Sequence, residues 1–351
     1  MTVYQNKLNI NKLASLVLVL FVSLFSFQGA FASDGHEAHG EETKEDKTSF
    51  IMHHIKDAYE WHFVDGHYGT LYLPVILYSS DRGLEVFSSS NFFDADHKAV
   101  AYNGYKNDHG HIVPLEEGRS VLDLSITKNV AMLIITLVVV SFLALKSASH
   151  YKKNPGSAPK GVASFLEPII IFVRDEVVKP NIGPKYERFV PYMLTLFFFI
   201  WIGNILGLLP GAANLTGNIA VTAVLAILTF IITNVNGNKD YWKHVFATPG
   251  VPKPLLLVMI PVEFIGLFTK PFALMIRLFV AITAGHIVLL SIIGLAFLFE
   301  SYAVGVASTI LSIFINIIEV LVATIQAYVF TLFSSMYIGS AVAEHHHDDH
   351  H

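Results

Sequence analysis

The chain has 351 residues, 53% of them hydrophobic and only 15% charged, with a formal net charge of −5. Soluble domains carry about 25% charged residues, so this composition argues for a membrane protein. The acidic balance offers no footprint for nucleic acid. The absence of cysteine excludes disulfides, thiolate-bound metals, iron–sulfur clusters and thiol catalysis.

Residues 1–32 read as a secretory signal. Lys7 and Lys12 give the positive region, Leu13–Phe27 the apolar core, and Ala30-Phe31-Ala32 the small residues of a cleavage site. The other reading is a first transmembrane helix. With cleavage, residues 33–125 form a periplasmic segment in a bacterium. Its start, Asp34–Lys47, is acidic and polar, the composition of a disordered stretch. Thr70–Tyr78 and Leu84–Ser88 predict two strands about a turn at Ser80-Asp81-Arg82-Gly83. The histidines of this segment show no recognisable ligand spacing, so solvated surface is preferred to metal capture.

A membrane helix needs about 20 apolar residues to cross about 30 Å of hydrocarbon. Residues 126–342 supply such spans. Asn129–Leu145 is followed by Lys146, Lys152, Lys153 and Lys160. Val190–Leu209 is preceded by Arg174, Lys179, Lys185 and Arg188, and Asn218–Val235 is followed by Lys239, Lys243 and Lys253. The connection between the second and third spans, Pro210–Gly217, lacks Lys and Arg. Basic loops stay in the cytoplasm, so the first span runs inward, in agreement with the signal. Val162–Val178 mixes apolar residues with Glu167, Arg174, Asp175 and Glu176 and predicts an interfacial helix. Leu255–Phe268, interrupted by Pro261 and carrying Glu263, is short for a span and reads as interfacial or re-entrant. Two long apolar runs, Phe272–Phe299 and Ala303–Ile338, flank a turn at Glu300-Ser301-Tyr302. The second is far longer than the bilayer core, so it must tilt, curve or project. The expected fold is an all-α polytopic membrane protein of about five spans plus an interfacial helix. The last two spans form an antiparallel hairpin, and a small external segment holds a β-hairpin. Residues 343–351, ending in EHHHDDHH, form a cytoplasmic tail with no assigned role.

Between Pro271 and Ile338 the groups that carry charge near neutrality are Arg277, His286, Glu300 and Glu319. Glu300 falls in the turn; the other three are embedded. An ionisable group inside a membrane is costly and marks an ion pathway by default; a static salt bridge that fixes helix pairing is the competing reading. In a hairpin centred on the turn, His286 and Glu319 fall at nearly equal depth, as do Arg277 and Gln326. Glu319 and Gln326, seven apart, share a helical face. Histidine and glutamate both exchange protons; arginine stays charged and acts as an electrostatic gate. The face Arg277, Ala281, Ala284, Val288 is small enough for another helix to approach closely.

The run Lys270-Pro271-Phe272-Ala273-Leu274-Met275-Ile276-Arg277-Leu278-Phe279, followed by Ala284-Gly285-His286, resembles subunit a of the F-type rotary ATP synthase. Glu319 seven positions before Gln326, and Asn204 ahead of Leu208-Leu209-Pro210, are similar to two further landmarks of that family. The resemblance covers about residues 120–342. It implies a non-catalytic, proton-translocating stator subunit of the bacterial inner membrane. Its partners would be the c-ring, the b subunits of the peripheral stalk and the rest of the synthase. It implies that Arg277 meets the ring carboxylates, with Gln326 beside it. His286 and Glu319 would serve a periplasmic half-channel, and Glu263 a cytoplasmic one. Many bacterial members carry the His and Glu in the reverse order; the order here resembles the mitochondrial one. Val280-Ala281 stands where many members have Gly-Asn, and Gly207 where some have Asp. The signal and the external segment are extra to the common family plan.

No cofactor is expected. The spans hold one histidine, His286, which argues against bis-histidine haem. H-E-x-x-H, the zinc-protease motif, is absent, as is the G-x-x-x-x-G-K-[ST] nucleotide loop. The alternative function is an ion-coupled secondary transporter, which should show internal repeats or paired broken helices.

Overall fold

The computed structural model describes residues 57–62, 70–94, 100–108, 110–116, 119–153, 158–209, 212–246, 252–299 and 301–343. The signal expected at 1–32, the acidic stretch Asp34–Lys47, Glu300 and the tail from Glu344 lie outside the described residues.

The segment ahead of the spans carries more strand than one hairpin. β1 is Glu60–His62, β2 Thr70–Tyr72, β3 Pro74–Ser79, β4 Gly83–Ser88, β5 Tyr105–Asp108, β6 His111–Pro114 and β7 Val121–Asp123. β3 and β4 pair antiparallel, Ser79 opposite Gly83 through Pro74 opposite Ser88, and Gly83 takes a left-handed φ of 74° at the turn. The predicted strand Thr70–Tyr78 is two strands. At Leu73 the backbone turns its hydrogen bonds to Tyr59 and Ser89, so β2 pairs with β1 while β3 pairs with β4 and β7. Tyr59, Val75, Leu77, Phe92, Tyr105 and Ile112 fill the small core between these ribbons.

This β region is fastened to the first membrane helix, α1 (Lys128–Lys153). One carboxylate oxygen of Asp57 accepts from the backbone N–H groups of Ala58 and Asn129, at 3.0 and 3.2 Å. It thereby satisfies an orphan donor of the first helical turn. Burial pushes the Asp57 carboxyl above its ordinary value, against hydrogen bonds from Thr127 and Asn129 and the charge of Lys128. Trp61, 6% exposed, joins the helical core beside Met132 and Leu133.

The helical region runs α2 (Val162–Phe172), a π-helical turn Val173–Val178, α3 (Lys179–Ile182), α4 (Val190–Gly207), α5 (Ile219–Val235), α6 (Lys239–Phe246), α7 (Lys253–Phe299) and α8 (Tyr302–Val342). Among the described residues four helices (α1, α4, α7 and α8) are long and apolar enough to span a membrane. The bent pair α5–α6, turned by 105°, supplies a fifth. The protein is therefore a polytopic membrane protein with long C-terminal helices and a small β region ahead of them. α1, α4 and α5 begin or end within a few residues of the spans that hydropathy marks. α7 differs: the segment Leu255–Phe268 and the span Phe272–Phe299 are one helix of 47 residues, with Pro261 and Pro271 inside it. Helices within membranes tolerate internal proline where the freed backbone groups find other partners. At about 1.5 Å per residue α7 is about 70 Å long and α8, with 41 residues, about 60 Å. A hydrocarbon layer of about 30 Å can hold the full length of such rods only obliquely; otherwise they project from it.

Opposite the β region, the C-terminal end of α8 is pinned. The Asn238 side chain donates to Val342 O at 2.8 Å and its backbone N–H to Ala341 O at 2.8 Å, which occupies terminal helix carbonyls. Gly339 lies so close to α3 that a Cβ there would overlap the carbonyl oxygen of Asn181. Because backbone cannot yield as a side-chain tip does, Gly339→Ala should cost at least about 1–3 kcal/mol. It should lower the thermal unfolding midpoint of the detergent-purified protein, while the exposed neighbour substitution Ser340→Ala should not.

Candidate functional site

The embedded polar groups come together along the α7–α8 hairpin. Ser312, Glu319, Gln326 and Phe333 are spaced by seven and make one stripe on α8. His286 of α7 meets this stripe at Glu319, with Nδ1 3.9 Å from Oε1 and side chains 13% and 2% exposed. Gly285 makes the room: a Cβ there would sit 3.2 Å from Glu319 Oε1. Both Glu319 oxygens, Thr283 Oγ1 and Ser312 Oγ are buried and have no hydrogen-bond partner among the described residues. The expected level pairing of His286 with Glu319 is what the structure holds.

Arg277 behaves otherwise. Its side chain is exposed on the outside of the bundle, with its guanidinium over the ring of Phe333, 4.3 Å from the centroid. No hydrogen bond joins it to Gln326 among the described residues; its partner lies two turns further along α8. Helical side chains lean toward their own N-terminus, which carries a long arginine on α7 toward the later residues of α8. No described carboxylate forms an ion pair with Arg277. The face around it is open, with Ala284 and Val288 exposed and Ala281 half-buried. The small-residue face read from the sequence therefore points outward.

Toward the other end of α7, Glu263, Lys270 and Arg277 are again spaced by seven and share a face. Glu263 Oε1 lies 4.0 Å from Nδ1 of His244 on α6. Lys270 Nζ lies over the Tyr337 ring, 5.6 Å from its centroid. A cleft beside Lys270 and Tyr337 is lined also by Thr233, Asn234 and Tyr241, where Tyr241 donates to Asn234 at 3.2 Å.

Asn204, 2% exposed, accepts from Thr216 Oγ1 at 2.6 Å and so ties α4 to the connection leading into α5. Its Nδ2 is buried and has no hydrogen-bond partner among the described residues. Sequence reasoning missed His244, Phe333, Thr283 and Ser312. The seven-residue stripe through Glu319 would have found Ser312 and Phe333; no spacing rule reaches His244. Among the described residues, no three His, Asp or Glu side chains gather as a metal would require.

Comparison with known proteins bears on all of this. A family model described as ATP synthase A chain matches residues 130–339, and one described as a domain of unknown function (DUF8433) matches residues 50–132. The chain is 44% identical over 245 residues to "ATP synthase subunit a" of Chloroherpeton thalassium, covering 68% of this chain and 72% of the relative. It is 47% identical over 235 residues to the protein of that name from Chlorobium phaeobacteroides, covering 65% and 68%. A third, from Anaeromyxobacter sp., is 39% identical over 336 residues, covering 90% of this chain and 76% of the relative. An alignment covering 90% of the chain must reach well into the residues ahead of 126, so much of that segment is shared with at least one relative.

Proposed function

Given that the chain belongs to the ATP synthase A chain family, we propose that it is the stator of the membrane sector, moving protons through two offset half-channels. The groove between them faces a ring of c subunits. The β region stands in the periplasm and the basic loops lie in the cytoplasm, as their Lys and Arg content favours. The b subunits of the peripheral stalk hold the chain in the inner membrane. Forming ATP falls to other subunits.

A proton enters from the periplasm past the hydroxyl of Ser312 and reaches Glu319 and His286, with the Thr283 hydroxyl about one turn beyond them on α7. Buried polar atoms need partners, and water threading this path would serve them. The pair passes the proton to a ring carboxylate. Once neutral, that site can turn into lipid, where a charge is costly. On return it meets the Glu263 side and loses the proton there. Arg277 stands between the two paths. Its fixed charge favours the ionised ring site and repels a proton that would cross directly. Each charge falling through about 100 mV releases about 2.3 kcal/mol, so several are combined for one ATP.

The observation that carries this reading is Arg277 itself: an embedded-depth cation on an outward small-residue face, with no acid of its own chain beside it among the described residues. The chain lacks cysteine, so a single introduced thiol is unique. Ala284→Cys should form a disulfide with a cysteine placed next to the ring carboxylate in the assembled complex. Val138→Cys, on an exposed position of α1, should not. Failure of the first with efficient cross-linking of the second would overturn the assignment of this face to the ring.

A further inference from the structure

The cytoplasmic side of the pathway, read from sequence, ends at Glu263. The structure adds an imidazole. α6 folds back by 105° from α5 and sets His244 Nδ1 4.0 Å from Glu263 Oε1, with the side chains 57% and 34% exposed. Exposure thus rises from the carboxyl to the imidazole and on to solvent. The contact exceeds the hydrogen-bond range of about 3 Å, and an exposed ring changes rotamer within nanoseconds, so one rotation closes it. His244 does not hold α6 in place by burial: the buried residue of that helix is Val245. A cleft lined by Asn234, Tyr241, Lys270 and Tyr337 meets the Glu263–Lys270–Arg277 face at Lys270. The bundle therefore carries the same two proton-exchanging groups at both ends: His286 with Glu319, and His244 with Glu263.

We infer that His244 is the terminal proton acceptor of the cytoplasmic exit, a role that rests on the reading of Glu263 given above. In the step, the O–H bond of protonated Glu263 breaks and an N–H bond forms at His244 Nδ1, leaving a carboxylate and an imidazolium. The imidazolium releases its Nε2 proton to water, and tautomer exchange readies the ring for the next proton. Imidazole suits this post because it both binds and releases protons near neutral pH, and its exposure puts it in contact with bulk solvent.

The test uses the complete synthase in inverted membrane vesicles, its catalytic sector stripped, with passive proton flux driven by an imposed potential in weakly buffered medium. His244→Ala should slow the flux several-fold, His244→Gln should slow it equally, and added free imidazole should restore most of the loss in both. Native flux in His244→Ala, native flux in His244→Gln, or a loss that imidazole does not relieve would each overturn the inference. Glu263→Gln separates the two levels. If it impairs flux while His244→Ala does not, only the role of His244 fails. If it leaves flux unchanged, the exit at Glu263 fails and His244 with it.

Discussion

Replacing Arg277 by alanine is expected to bring both ATP synthesis and ATP-driven proton pumping below about one hundredth of the native rate, a loss of roughly 2.7 kcal/mol at about 1.36 kcal/mol per decade. The side chain is exposed on the outer face of α7 and rests on Phe333, so its removal leaves no cavity in the core of this chain. On the proposed reading, what disappears is the positive charge on the path of the ring carboxylates. Without it an ionised ring site has no counter-charge at this depth, and rotation past the stator stalls. The barrier between the half-channels disappears too, so passive conduction should persist while coupling is lost. Arg277→Lys should also fail. Lysine keeps the charge but lacks the planar guanidinium that stacks on a ring and offers a fork of donors to a carboxylate. Pumping by inverted vesicles and their passive conductance, measured side by side, decide the matter; native pumping by the alanine variant would remove the basis of the whole assignment.

The second large effect concerns Glu319. Glu319→Gln preserves shape in a tight site, where Gly285 leaves room for the carboxyl, yet removes the carboxyl proposed to exchange protons with His286. Proton flux should fall by roughly 100-fold, the scale of a positioned acid or base, with the protein still assembling normally. The exchange His286→Glu with Glu319→His keeps one imidazole and one carboxyl at the same level of the hairpin and should recover most of the flux. The measurement is flux in vesicles matched for complex content. If the double variant is as poor as Glu319→Gln, the pair is specific in its order and the relay is more than two exchangeable groups at one depth.

Much of this was readable beforehand because the controlling physics is local or nearly so. Hydrocarbon thickness and hydropathy mark the spans, and an antiparallel hairpin puts His286 opposite Glu319 by counting from its turn. Counting failed for Arg277 because it compares backbone positions, whereas a long side chain on α7 leans toward its N-terminus and finds Phe333 instead of Gln326. α7 read as two pieces because Pro261 and Pro271 look like breaks, yet both lie inside one continuous helix. The strands β5, β6 and β7 were missed because their partners are set by tertiary packing about Tyr105 and Ile112, beyond any alternation in the chain. His244 was illegible for the same reason: α6 folding back on α7 is a three-dimensional fact.

The lengths of the last two helices have a further consequence. A rod of about 70 Å that crosses a slab about 30 Å thick has its ends offset sideways by about twice the thickness. His286 and Glu263 lie inward of those ends, about 35 Å apart along the axis, and on such a slant they stand over different points of the membrane plane, separated by lateral travel as well as by depth. Anything ferried from one to the other by a wheel turning in that plane must be swept along an arc. In such a design the gearing between ion flow and rotation is written into the slant of a single helix.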